Sequence, residues 1–246
     1  MNISTAISWA NEIKNIGGYY SGEGSGYECF VDDGIVCEEK WNTVPEDRRI
    51  LVLLREAREQ TNPKRRIADG IFSLTKFLTE RSNNNFSWQG SSTYGSVRQW
   101  ISAVFDYYGF KPRENVENIF EYVAVANLKK TPGKNIHDPK TIKKFCDYFK
   151  CRLREQILEI NPYIIILSYE HDNFLNVMGD CLVEKTHIDA KRDNINPLDL
   201  YVCELTDGAT FRHDLLVFDA YHPCSWRKKT KGTDFETVFA KLKPKY

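Results

Sequence analysis

The chain has 246 residues and balances 34 Lys+Arg against 34 Asp+Glu, so its net charge points to no polyanion partner. Its seven cysteines are odd in number and include no Cys-x-x-Cys pair, which argues against a zinc ribbon, a full disulfide framework or an iron–sulfur cluster, and leaves a cytoplasmic chain with reduced thiols and no metal or cofactor as the expectation. No run approaches the roughly 18 apolar residues of a membrane span, and Met1 to Tyr20 lacks the pattern of a signal peptide, so no membrane partner is expected.

In chain order, residues 4 to 15 read as a short helix with Ile7, Trp9 and Ile13 as its apolar positions. Glycines at 17, 18, 22, 24 and 26 punctuate the next stretch. Tyr27 to Val31 and Ile35 to Trp41 flank Asp32-Asp33-Gly34, a hairpin signal. Arg49 to Leu54 is a compact apolar strand. Ile67 to Thr79 carries helical spacing, Arg81 to Ser92 reads as a polar loop, and Val97 to Phe105 is a second helix. Phe120 to Ala126 alternates as a strand, with Asn127 to His137 a loop containing Pro132-Gly133. Asp138-Pro139 is an N-cap with proline at the first helical position, opening a helix to Glu159 that Asn161-Pro162 stops. Tyr163 to Ser168 is a continuous apolar strand, and Asn173 to Met178 a short helix. Leu200 to Glu204 and Phe211 to Phe218 pair around Asp207-Gly208. Strands alternating with helices predict an α/β fold, three-layer αβα with a mainly parallel central sheet, in one domain over 1–246 with 1–47 as an N-terminal extension. Residues 1–47 and 181–213 give no functional reading.

Three strands run into polar residues: 50–54 into Arg55-Glu56, 120–126 into Asn127, and the strand ending near Phe218 into His222. If they are parallel, these groups gather on one edge of the sheet, where α/β proteins place their ligand sites. After His222-Pro223 come Trp226 and the basic cluster Arg227, Lys228, Lys229 and Lys231. With aromatics at 13% of the chain, this combination suits nucleic acid.

The residues also carry a resemblance. Ile50-Leu51-Val52-Leu53-Leu54-Arg55-Glu56-Ala57, the strand and loop Tyr122 to Gly133 around Asn127, the helix and strand Arg152 to Ser168, and Tyr221-His222-Pro223-Cys224-Ser225-Trp226 resemble, in order over about 48–228, motifs of the uracil-DNA glycosylase superfamily. The first motif lacks the early glycine and the proline of members acting on uracil, and Cys224 directly follows His222-Pro223. Uracil as the base is thereby put in doubt. The resemblance implies a monofunctional DNA glycosylase, working as a monomer, that leaves an abasic site. The superfamily includes phage-defence enzymes that remove glucosylated hydroxymethylcytosine, one implied substrate.

On that reading His222 donates to the leaving base, Glu56 orients or deprotonates the attacking water, and Asn127 reads the Watson–Crick edge of an extruded pyrimidine. Tyr94 and Trp100 are candidates for stacking on the base, although Trp100 also fits simple packing of its helix. Trp226 fills the vacated stack or sits in the core. Arg227, Lys228 and Lys229 hold phosphates, and Lys129 and Lys130 contact DNA or are solvated loop lysines. Other readings are a uracil-repair glycosylase, a non-catalytic damage sensor on the same fold, and a nucleoside-processing α/β enzyme. No glycine-rich phosphate loop supports the last of these.

Overall fold

The structure is a computed structural model that describes residues 3–15, 30–58, 66–68, 71–83, 92–112, 118–133, 139–189, 198–206, 211–221 and 230–241. The predicted Asp207-Gly208 turn and the Asp138 cap lie outside the described residues, as do the glycines between 17 and 26.

The central sheet has a parallel middle: β6 (Ala124–Gly133), β3 (Ile50–Arg58), β7 (Ile164–Ser168) and β10 (Phe211–Ala220) lie side by side in that order. Antiparallel strands flank them, with β2 (Gly34–Ile35) beyond β6, and β9 (Asp199–Thr206) and β8 (Leu182–Asp189) beyond β10. The strands are apolar on both faces because both faces are covered. Ile50, Val52 and Leu54 of β3 pack toward α3 (Leu74–Asn83), α4 (Ser92–Tyr107) and α8 (Gly232–Phe239). Leu51 and Leu53 point the other way, toward α1 (Ile3–Asn15), α5 (Pro139–Tyr148), α6 (Lys150–Ile160) and α7 (His171–Met178). This is a mixed α/β arrangement with a mostly parallel centre, compatible with a three-layer fold. Among the described residues no helix is long and apolar enough to cross a membrane.

Several local expectations fail where partners distant in sequence decide. Asp32-Asp33-Gly34 does not turn a hairpin. Its arms join different sheets: β1 (Phe30–Asp32) pairs in parallel with β5 (Ile71–Ser73), whose other neighbour is β4 (Arg66–Ala68), whereas β2 pairs with β6. Gly34 bridges them at φ 137°, where a Cβ would be strained. The expected strand 35–41 closes instead in a short helix, α2 (Glu38–Trp41), anchored by buried Trp41. The helix predicted over 67–79 starts only at Leu74, because Ile71-Phe72-Ser73 is taken up in pairing with Phe30-Val31-Asp32. In α1 the buried positions are Ala6, Trp9 and Ile13, while Ile7 is exposed.

The segment expected to be a strand from Phe120 begins as a 3-10 turn, Ile119–Tyr122, capped by the Asn118 side chain accepting from the Phe120 N–H. The strand then runs through the expected loop as far as Gly133, with Glu56 opposite Lys129 and Arg58 opposite Gly133. The long helix after Pro139 is interrupted at Phe149 (φ −98°, ψ 20°), yet its ladder continues: the Phe149 N–H donates to the Phe145 carbonyl and its own carbonyl accepts from Leu153.

Candidate functional site

The chain leaves β3 and returns as β6 on one side, then crosses to β7 and β10 on the other. The carboxyl ends of β3 and β7 therefore flank a topological switch point, where diverging connections leave a crevice. A cleft of about 420 Å³ opens at these strand ends, lined by Arg55 from β3, Tyr169 to Asn173 after β7, Asp219 and Tyr221 from the end of β10, Asp199 and Tyr201 from β9, and Pro139.

Arg55 organises its wall. The guanidinium donates from Nε to the Ser168 carbonyl and from Nη2 to the Tyr169 carbonyl, each at 3.2 Å, and its Nε lies 2.5 Å from Glu170 Oε1. A planar fork of donors can hold two carbonyls and a carboxylate together; a lysine cannot. Tyr169 sits between those acceptors at φ 63°, a left-handed conformation rare for an aromatic residue. The residue is 54% exposed, and its ring stacks on Tyr221 at 5.1 Å and 11° and has the Arg55 guanidinium 5.8 Å from its centroid.

The floor is acidic. Asp219 stands directly opposite Asp199 in the β9–β10 pairing. Like charges placed opposite one another weaken a sheet, so this pair opposes folding. Asp219 Oδ1 accepts from the Glu170 N–H at 3.1 Å. Burial pushes the Asp219 carboxyl up to about 7, with Asp199 and Glu170 adding to the rise against that N–H. Beside it, His171, Tyr201 and His187 form a three-ring stack with centroids at 3.8 and 4.4 Å. Burial lowers the His171 pKa, against nearby Glu184 and Asp172.

The predicted site residues divide. Asn127 is not a strand-end group facing a cleft. It lies inside β6, 1% exposed, with its backbone N–H (2.7 Å) and its side-chain amide (3.2 Å) both donating to Asp33 Oδ2. Lys130 is fully buried and paired with Asp33 Oδ1 at 2.6 Å, so neither phosphate nor base substituent reaches it. Lys129 is buried as well, donating to the Thr131 carbonyl. Gln156 of α6 completes the cluster, its Nε2 donating to the Asp33 carbonyl and to Oδ1. Trp100 is a core residue, wholly buried, whose Nε1 donates to the Thr230 carbonyl at 2.8 Å. Tyr94 is half-buried and packs its ring against Phe77 and Phe120.

The backbone of Glu56 runs within β3 at the edge where β7 and β10 also end. His222, Trp226, Arg227, Lys228 and Lys229 lie outside the described residues. Their flanks are described: the Tyr221 N–H donates to Thr230 Oγ1 at 2.8 Å, so the chain on either side of 222–229 meets beside the cleft. Sequence reasoning missed Tyr169, Glu170, Asp199, Asp219 and Tyr221. The first two were within its reach, because Tyr163 to Ser168 runs into Tyr169-Glu170-His171 just as the other strands run into polar residues.

Fold and cleft define an α/β protein with its candidate site at the carboxyl edge of a mostly parallel sheet. Comparison of the chain with protein-family models, curated proteins and solved structures gave no match.

Proposed function

We propose that this chain is a uracil-DNA glycosylase-like enzyme, a monofunctional DNA glycosylase that hydrolyses the N-glycosidic bond of a flipped-out modified pyrimidine. Glucosylated hydroxymethylcytosine in phage DNA is the substrate that would make it an antiviral defence protein. The observation that carries this reading is the convergence of the strand ends. β3 with Arg55, β7 with Tyr169-Glu170, and β10 with Asp219 and Tyr221 meet at one cleft, with Glu56 next after Arg55 in the chain and His222 next after Tyr221.

The chemistry follows from charge. Heterolysis of the bond between sugar C1′ and the base nitrogen leaves positive charge on the sugar and negative charge on the base. Water then adds to C1′, and its proton is lost to a base. Carboxylates lining the cleft stabilise the cationic sugar, Glu56 takes the water proton, and His222 donates to the base carbonyl oxygen. Arg227, Lys228 and Lys229 hold the phosphates while the base leaves the stack.

The test is to incubate the protein with single-stranded and duplex DNA carrying uracil, hydroxymethylcytosine or glucosylated hydroxymethylcytosine, and to score alkali-labile sites. Abasic product from one of these, lowered about 100-fold or more by His222→Ala with DNA affinity retained, is expected. No abasic product from any of them, from protein that binds DNA, would leave a binding module instead.

A further inference from the structure

We propose that Tyr169 and Tyr221 are the stacking surface of a nucleobase site, and that the acids of the same cleft select a base bearing an exocyclic amino group, as on cytosine, over uracil. The inference rests on the glycosylase reading for the identity of the ligand as a nucleobase.

The aromatic pair carries it first. An exposed tyrosine gains nothing in the core, yet Tyr169 is held in a left-handed conformation, with Arg55 donating to its carbonyl and to that of Ser168 and pairing with Glu170 on its other side. Strain of this kind persists where the surroundings over-determine it, and it gathers at ligand sites. The outcome is a residue more than half exposed in the lining of a cleft, its ring nearly parallel to that of Tyr221 and one residue from a strand end. Parallel phenols present a flat, sequence-tolerant face on which a heteroaromatic ring extends the stack.

The lining then sets which ring. The cleft carries the carboxyl groups of Glu170, Asp172, Asp199 and Asp219, and Arg55 is already committed to Glu170. Such a surface repels phosphate and accepts hydrogen bonds. The hydrogen-bonding edge of cytosine offers an amino donor beside the N3 acceptor, and a carboxylate is the side-chain group that accepts from that amino group. Uracil presents a carbonyl oxygen at the same place, and lone pair meets lone pair. Burial pushes Asp219 up to about 7, so near neutral pH it exists in both forms. The ionised form accepts from the amino group, and the protonated form donates to N3.

Fluorescence anisotropy on single-stranded probes tests this. Each probe is a tetrahydrofuran abasic chain with one central position that is cytosine, uracil or another abasic residue. The cytosine probe is expected to bind about tenfold more tightly than the other two. Tyr169→Ala should bring it down to the abasic value, and Tyr169→Phe should restore it, which separates stacking from misfolding. Equal affinity for cytosine and uracil probes, no binding of any probe, or an unaffected Tyr169→Ala variant overturns the inference. If preference and Tyr169 dependence hold while no base is excised from any DNA, the base site stands and the glycosylase reading falls. If bases are excised without that preference, the reading stands and this inference falls.

Discussion

Asp33 and Lys130 form an ion pair of 2.6 Å with both side chains wholly buried. Asn127 and Gln156 donate to the same carboxylate, so four residues from three parts of the chain close around one charge. Burial lowers the Lys130 pKa against the pull of Asp33. The pair therefore depends on its hydrogen bonds as well as on attraction. Lys130→Met should cost about 3–5 kcal/mol in chemical denaturation, because it strands a buried carboxylate. Asn127→Asp places a second carboxylate against Asp33 and should be similarly destabilising. A soluble Asn127→Asp variant of wild-type stability would contradict the network.

Arg55→Ala should destabilise by about 3 kcal/mol, since it removes the guanidinium from nearly buried Glu170 and frees two backbone carbonyls. Arg55→Lys keeps the charge without the fork and should recover only part of that loss. Guanidinium chloride unfolding of the three proteins measures both, and full recovery by lysine would show that charge alone matters.

Trp100→Phe keeps an aromatic ring in the core but leaves the space of the five-membered ring empty and the Thr230 carbonyl without its indole donor. A loss of about 1–3 kcal/mol in thermal or chemical unfolding is expected, with oligonucleotide affinity unchanged. Affinity lost at constant stability would return Trp100 to the base-stacking role that its sequence position suggests.

Asp219 gives stability a pH dependence of defined sign. Its carboxyl is raised to about 7 in the fold, and that of buried Asp32 to about 6 by burial, with Asp33 adding to the rise. The native state keeps these protons where the unfolded chain, with carboxyls near 4, has released them. Stability contributed by the two groups is thus present in acid and lost as pH rises from about 4 to about 7. Asp219→Asn stays neutral and still accepts from the Glu170 N–H. It should raise stability at pH 8, by on the order of 2 kcal/mol, with the gain vanishing near pH 4. His171 acts in the opposite sense: burial lowers its pKa, so its contribution is lost as pH falls below about 6.5. Urea midpoints for both proteins across pH 4–8 resolve the effect, and parallel curves would refute it.

The sequence by itself determined the alternation of elements and most of the sheet's apolar strands. Ile50 to Leu54 and Tyr163 to Ser168 read as buried strands, and the spacing over 97–105 and 139–159 reads as helical, the first helix in fact starting earlier, at Ser92. It also marked the carboxyl edge, because polar residues after an apolar strand are visible locally. Tertiary structure alone decided which of those residues meet. Lys129-Lys130-Thr131-Pro132-Gly133 has the composition of a loop, and it becomes a strand because Asp33, almost a hundred residues earlier, neutralises Lys130 within the interior. The same contact withdraws Asn127 from the edge. Asp199 and Asp219 are unremarkable acids until strand register sets them face to face, and Tyr169 is an ordinary tyrosine until Arg55 holds its carbonyl. Propensity and periodicity are sums over neighbours in the chain, whereas a buried charge, a register and a strained φ are set by partners that only folding brings near.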